Sequence, residues 1–599
     1  MKFMNEEPKS VWKKSFRGRT ALVVWLAVVI FTVMLAFFIR ALANWNDQVS
    51  GLFLGVSIFS GVFLAVILIL IYAVWPLLRW LFWKHWRRTL FGLACFATLV
   101  ALFYAEENWR GKHDWEKFQK EWAAKGEHFD FASVVPPAVP DEQNFAMAPI
   151  IVESIEAAGG SNVTRQWYGK TLTDQERSNL VDRLNISLVN NYTDWPTNGG
   201  GSWQKSRLTR LEPMQNYYRT LAARTNLFPV SPRPQTPAQD VLLALSKYDS
   251  ALEELRQASL RPAAQFPVYS NPDRPFDMLL PHLSLLKRCG QFLQLRAIAE
   301  LQNNQSQAAL DDVKLSLRLT ESLRGEPFLI CHLVRIAILN LALQPIYEGL
   351  AEHQWSDAQL AELDAELAKL DLLADYQQSM RGERACQVGM IEFLRSAHDR
   401  PRAYSNLFVD SENMSMNNAM VLLINFAPSG WFYLNELAVA RMNQEFLLPL
   451  ADVQNRIVSP EAVSRASSAE TDFVSKSPRV AFIARMIYPA LGGAVRKSAF
   501  AQEAVDLARV AIALERCRLA HGDYPDSLDS LAPQFIEKIP HDIINGQPLH
   551  YRRTSDGQFV LYSVGWNETD DGGVVVLDKK TGPVRQNEGD WVWRYPQKE

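Results

Sequence analysis

Any chemistry in this chain must come from histidine, cysteine and charged side chains gathered by folding, because the local signatures of catalysis are missing. There are 10 histidines and 5 cysteines in 599 residues. His282, His332, His353 and His398 are far apart, and none stands in H-E-x-x-H or another i, i+4 metal pair. Cys95, Cys289, Cys331, Cys386 and Cys517 form no C-x-x-C and no zinc spacing. No Gly-x-Ser-x-Gly elbow is present, although a triad assembled in space needs no such motif. Asn198, Gly199, Gly200, Gly201 and Ser202 make a loop flexible enough to approach a phosphate. It lacks the Lys and Ser/Thr that complete a P-loop, so it reads as a plain turn. Arg381, Glu383 and Arg384 share a predicted helix with Glu392 and Arg395. Such a cluster binds an acidic ligand or, more commonly, forms a solvated ion-paired face. If the chain were a hydrolase or ligand-processing enzyme, His282, Arg381 and Glu383 would be expected to meet in one deep pocket.

The elements that would position these residues begin with three apolar runs, residues 21–39, 51–78 and 89–105. Each is nearly free of charge and close to the length that crosses about 30 Å of hydrocarbon, the third being the shortest. Lys2, Lys9, Lys13, Lys14, Arg17 and Arg19 precede the first run, while the loop at 44–50 holds only the acidic Asp47, with Arg40 just before it. Arg79, Lys84, Arg87 and Arg88 then flank the second loop, with Trp80, Trp83 and Trp86 suited to the headgroup interface. The bias of basic residues predicts an N-terminus on the cytoplasmic side and residues 106–599 outside. A cleaved signal peptide is the competing reading of the first run, but its apolar core is too long and no small-residue cleavage site follows.

A net charge of -3 supplies no basic footprint, which excludes nucleic acid as an expected partner. Beyond the third run, Trp115, Phe118 and Trp122 recur on one face of a charged helix. That stripe lies on the outer membrane surface or, more commonly, docks as a stalk on its own domain. Pro229, Pro232, Pro234 and Pro237 mark a linker, and residues 238–397 are strongly helical in pattern. Predicted helices over 275–301, 305–323, 328–350 and 356–370 are joined by breaks of a few residues, which implies antiparallel neighbours. Residues 297–319 look like one tetratricopeptide-type hairpin without a repeating period. The four cysteines beyond the anchor read as buried thiols, with a bridge such as Cys289 to Cys331 open in an oxidising compartment.

The last hundred residues are more specific. A predicted helix over 499–520, with Phe500, Ala504, Leu507, Ala511 and Leu514 on one face, leads into His521, Gly522, Asp523, Tyr524 and Pro525. Ser527, Leu528, Leu531, Pro533, Ile539 and Pro540 follow, then Asp542, Gly546, Pro548, Leu549 and Tyr551. An Asp556-Gly557 turn joins two predicted strands over 551–553 and 558–563, and residues 574–577 and 591–595 supply two more. The order over 514–573 resembles the globular tail of major pseudopilins of the type II secretion system. The whole arrangement, including Pro140, Asp141, Glu142, Gln143, Asn144 and Phe145, is similar to uncharacterised bacterial membrane-anchored proteins.

That resemblance implies a calcium-binding loop, whose ligands here would be Asn567, Asp570 and Asp571. The loop is shorter than the family's. The basic leader, Gly-Phe-Thr and early Glu of a pseudopilin stem are absent before residue 21 and before residue 499, so processing and polymerisation as a pilin are not expected. Glu503, Asp506, Arg509, Glu515 and Arg516 also suit the stem to water or protein, not lipid. The expected architecture is therefore membrane-anchored and mainly α. It comprises a cytoplasmic basic tail (1–20), three transmembrane helices (21–105), a stalk helix and mixed linker (106–235), an α-helical extracytoplasmic body (236–497) and a small α+β pseudopilin-like domain (498–599). The expected function is non-enzymatic: an envelope protein of the cytoplasmic membrane, anchored in the lipid bilayer and meeting secretion or pilus-like proteins through its tail. Two alternatives are the hydrolase reading above and a tail that only caps the body.

Overall fold

The computed structural model describes residues 86–155, 184, 196, 198–225, 227–266, 280–408, 423–476, 482–484, 492–578 and 582–596. The predicted spans over 21–39 and 51–78 lie outside these residues. The chain divides into two units, Met1–Glu106 and Glu107–Glu599. It is mainly helical, with a small sheet region at the C-terminal end.

Helix α1, Trp86–Ala123, contains both the predicted third span and the predicted stalk stripe. In the first unit, Leu90, Phe91, Leu93, Phe96, Leu99, Leu102 and Phe103 are all exposed. The hydroxyl of Thr98 donates to Ala94 O of its own helix (2.8 Å), a bond that needs no outside partner.

In the second unit, the stalk stripe is buried: Trp115 and Phe118 pack with Phe129, Ile391, Phe432 and Val439. Two glycines permit this docking. A Cβ on Gly111 would meet Gly430 O at 2.1 Å, and one on Gly430 would meet Glu107 O at 1.9 Å. Gly430 N then donates to Asn108 Oδ1 (2.8 Å), and Trp431 Nε1 donates to Glu107 Oε2 (2.9 Å).

The body follows with α2 (Glu212–Thr225), α3 (Pro237–Leu245) and α4 (Asp249–Ser259), then the long α5 (Pro281–Gln302) and α6 (Ser306–Ser322). Next come α7 (Leu329–Ala351), α8 (Asp357–Leu367), α9 (Leu372–Ser396), α10 (Arg400–Phe408), α11 (Ser429–Met442), α12 (Pro460–Lys476) and α13 (Gly492–His521). Starts are written locally: Thr236 with Gln239, and Ser356 with Gln359, form reciprocal capping boxes for α3 and α8. Asn304, at φ 57, turns α5 back into α6 as the predicted antiparallel hairpin. Asn144 ties the first segment to the body, with Nδ2 donating to Gln265 O (2.8 Å) and Oδ1 accepting from Gln265 N (2.9 Å).

The small sheet has β1 (His550–Arg553), β2 (Phe559–Ser563) and, after the ribbon of β3 (Val575–Leu577) and β4 (Val584–Gly589), β5 (Trp591–Arg594). The antiparallel order is β1-β2-β5, with Tyr551 opposite Leu561 and Leu561 opposite Trp593. Gly557, at φ +77, closes the β1–β2 turn where Asp-Gly was read. Strand β4 was not foreseen.

One hydrophobic core joins α6, α7, α8, α9, α13 and this sheet. Trp203 stacks on Phe500 (6.0 Å) and tilts against Trp593 (5.6 Å), while Tyr347 of α7 contacts Trp593 and Tyr595 (5.4 and 5.6 Å). Such aromatic contacts add to area burial. The tail is thus packed into the centre of the second unit.

Candidate functional site

The three residues first suspected of chemistry, His282, Arg381 and Glu383, engage different partners. Arg381 turns toward the post-stalk segment, where its Nε donates to Glu127 Oε1 (3.0 Å). Arg384 joins the same carboxylate through Nη2 (2.7 Å), also donates to His128 O (2.7 Å) and Gln444, and sits over the Phe129 ring. These two guanidiniums more than offset the burial of Glu127, and its carboxyl is held below the usual range. Arg381 and Arg384 are thus ion-paired, as the commoner reading had it, but to an internal carboxylate, and they clamp the post-stalk segment to α9.

Glu383 points elsewhere: its Oε1 accepts from Leu329 N (3.1 Å) at the start of α7. It raises the thiols of Cys331 and Cys386 through charge, after burial, which is the larger cause. His282 is fully buried with its ring stacked 4.2 Å from Phe266. Beside it are Glu326, with 3.8 Å between His282 Nε2 and Glu326 Oε2, and Cys331, whose Sγ is 3.6 Å from the same oxygen. Burial pushes His282 down to about 3 and Glu326 up to about 7, so the cluster is uncharged at mildly acidic pH. The meeting of these three was not read from the sequence because Glu326 and Cys331 lie 44 and 49 positions after His282 with no motif between them. A shallow surface groove of about 490 Å³, lined among others by Ile150, Ser250, Glu253, Gln257 and Arg261, includes none of these residues.

A serine–histidine contact was also missed. His332 Nε2 lies 2.8 Å from Ser498 Oγ, and both groups are buried. The Ser498 hydroxyl also lies 3.0 Å from Ala494 O, an alternative acceptor within its own helix, so the direction of the His332 contact follows the imidazole tautomer. The pair couples α7 to the stem helix.

The glycine loop at 198–202 is likewise structural. Trp203 N donates to Gln344 Oε1 (2.6 Å), and the Thr209 amide and hydroxyl both donate to Glu348 Oε1 (3.1 and 2.6 Å). A Cβ on Gly201 would meet Gln344 Nε2 and Thr209 Oγ1, each at 2.5 Å. The glycine is present so that the loop can lie on α7, and the amides of Gly201 and Ser202 donate to Thr209 Oγ1 (3.1 Å) and Arg207 O (2.8 Å).

In the tail loop, the three expected calcium ligands are engaged with protein groups. Asn567 Nδ2 donates to Asp571 Oδ2 (2.8 Å), whereas Asp570 Oδ1 accepts from Gly572 N (2.9 Å) and Tyr562 Oη (3.0 Å). The loop's organiser is Asp590. Its carboxylate accepts from Asp571 N (3.2 Å), Gly573 N (2.7 Å) and Val574 N (3.0 Å). The five cysteines are free thiols, the Cys289 to Cys331 pair included.

The stem's polar residues also have internal partners. Glu503 Oε2 accepts from Ile543 N (3.1 Å), Arg456 Nη2 donates to Asp506 Oδ2 (2.8 Å), and Arg509 Nε donates to Asp364 Oδ1 (2.7 Å). Arg518 and Tyr524 donate to Glu515 Oε2 (both 2.9 Å), and His353 meets its other oxygen (3.0 Å). Those donors outweigh burial, the largest single influence, and hold Glu515 down at about 2. Comparison of the chain with protein-family models, curated proteins and solved structures finds no match in any of the three.

Proposed function

We propose that the chain is a membrane-anchored envelope protein of the interaction and assembly type. Three N-terminal spans hold it in the cytoplasmic membrane with the N-terminus inside, and residues 106–599 lie on the outer side. The observation that carries the anchor is the ring of exposed apolar side chains from Leu90 to Phe103, interrupted only by a self-bonded Thr98. A helix apolar all round belongs in a protein core or in lipid, and these residues are exposed. The basic flanks of the first two runs support the orientation. A non-enzymatic role is supported by the internal use of Arg381, Arg384, Ser498 and His332.

The tail's part in this reading is narrower than a freely presented module. Its stem helix shares one core with α6 to α9, which favours the capping role. A surface open to a secretion or pilus-like partner is the small ribbon, where Val574 and Leu577 are exposed. The test is cross-linking mass spectrometry in native membranes, comparing the full chain with a Val574→Glu, Leu577→Glu double variant. Cross-links from the ribbon to a pilin-like or secretion component, lost in the variant, are the expected result. If the wild-type ribbon cross-links to no such component, the assembly reading is abandoned and only the cap remains.

A further inference from the structure

We infer that His282, Glu326 and Cys331 form a buried binding site for a divalent metal of the zinc class. The three residues come from separate segments: the first turn of α5, the connector between α6 and α7, and the first turn of α7. All three are buried, and their donor atoms lie within 4.8 Å of one another. Two of the separations are 3.6 Å (Cys331 Sγ to Glu326 Oε2) and 3.8 Å (His282 Nε2 to the same oxygen). Zinc bonds of about 2.0–2.3 Å at tetrahedral angles put neighbouring donors roughly 3.3–3.8 Å apart. The cluster therefore needs only a small contraction to close on an ion. Imidazole, thiolate and carboxylate together are a donor set that suits zinc and its cobalt substitute better than calcium or magnesium.

The backbone around the cluster is fixed before any ion arrives. Glu383 Oε1 accepts from Leu329 N, fastening the start of α7 to α9. At Gly382, α9 approaches the connector so closely that a Cβ would meet Pro327 O at 1.6 Å. The His282 ring is held by stacking on Phe266. The charges also balance: a dication with one thiolate, one carboxylate and a neutral imidazole sums to zero, which an apolar interior tolerates. Among the described residues no lysine or arginine is ion-paired with Glu326 that would have to be displaced. Binding to the protonated cluster releases the Cys331 and Glu326 protons to solvent and forms the metal–sulfur and metal–oxygen bonds, so affinity falls as pH falls.

The test uses the full chain in detergent, stripped with a chelator and then given zinc or cobalt as the bare ion. After desalting, retained metal is measured by elemental mass spectrometry and the cobalt form by absorption. The expected result is a single retained ion with a thiolate-to-cobalt charge-transfer band, lost in Cys331→Ser and kept in Cys386→Ser. Circular dichroism checks that Cys331→Ser is folded. Should it unfold, the near-isosteric Glu326→Gln carries the same readout. Failure of the wild type to retain metal overturns the inference, as does a cobalt band that survives in a folded Cys331→Ser or disappears in Cys386→Ser.

Discussion

Among the described residues, two helices, α1 and α7, are long and apolar enough to cross a membrane, yet the structure treats them oppositely. The apolar stretch of α1 is wholly exposed, whereas most of α7 is buried by protein. Apolarity does not separate them. Their polar residues do. In α1 the hydroxyl of Thr98 is satisfied by its own helix. In α7 nearly every polar side chain reaches another element: His332 to Ser498, Arg335 to Thr320, Glu321 and Asp375, Gln344 to Trp203, and Tyr347 to Arg594. A helical stretch whose polar groups have fixed distant partners is held in a protein core, and one without them, such as residues 90–103 of α1, is free to face lipid.

Placing one charge in each helix gives the largest expected contrast. Leu343 is fully buried in α7, and Leu343→Asp strands an unpaired carboxylate there, costing about 4 kcal/mol or more of folding stability. The second unit should lose its cooperative thermal transition by circular dichroism. Leu99→Lys in α1 should leave that transition intact and instead weaken membrane insertion by about 2.5–3.5 kcal/mol, seen as a shift from the membrane to the soluble or degraded fraction. If both variants lose the same property, the two helices do not occupy different environments.

A gentler contrast comes from two glycines. A Cβ on Gly349 would meet Trp355 Nε1 at 2.1 Å, and that indole is held in place by donating to Ile346 O (3.3 Å). Gly349→Ala should therefore destabilise the second unit by about 1–3 kcal/mol. Gly92 has nothing within 4 Å of its Cβ position, so Gly92→Ala should be neutral or gain up to about 1 kcal/mol from helix propensity. Thermal midpoints in one detergent measure both. Equal losses would show that the Gly92 face is packed against something.

The same contrast explains what was legible in the sequence. Helices over 306–322 and 329–351, and the end of the helix over 281–302, fall within a few residues of their periodic patterns, because amphipathic spacing and short breaks are local signals; the expected start at 275 lies outside the described residues. The hairpin at Asp556-Gly557 is equally local. Partners are not: Tyr347 and Arg594 are 247 residues apart, and Glu127 meets Arg384 across 257. Hence the sequence showed that Arg381 and Arg384 could be ion-paired but not that their partner is Glu127, nor that Glu383 fastens the start of α7. Strand β4 was missed because Val-Arg-Gln-Asn-Glu-Gly has neither alternation nor β-branched density, and only pairing with β3 makes it a strand. Asp590 carries no motif, yet it organises the loop that resemblance assigned to calcium.

The smallest effect concerns proton linkage in α7. Burial raises Glu348 above its ordinary value of 4.5, although bonds from Gln344 and Thr209 oppose the rise. The folded state therefore holds this proton more tightly than the unfolded chain. Its stabilisation is complete below the unfolded value and is lost as pH rises from about 4.5 through the folded value. Glu348→Gln keeps Oε1 as the acceptor for Thr209 and replaces the protonated oxygen with an uncharged amide. Thermal midpoints measured from about pH 5 to about pH 7 should decline less steeply in this variant than in the wild type. Residues 90–105 of α1 carry no Asp, Glu or His, so membrane retention should stay level over the same range. An unchanged slope in Glu348→Gln would move the linkage to Glu326 or Glu503, both of which burial also raises.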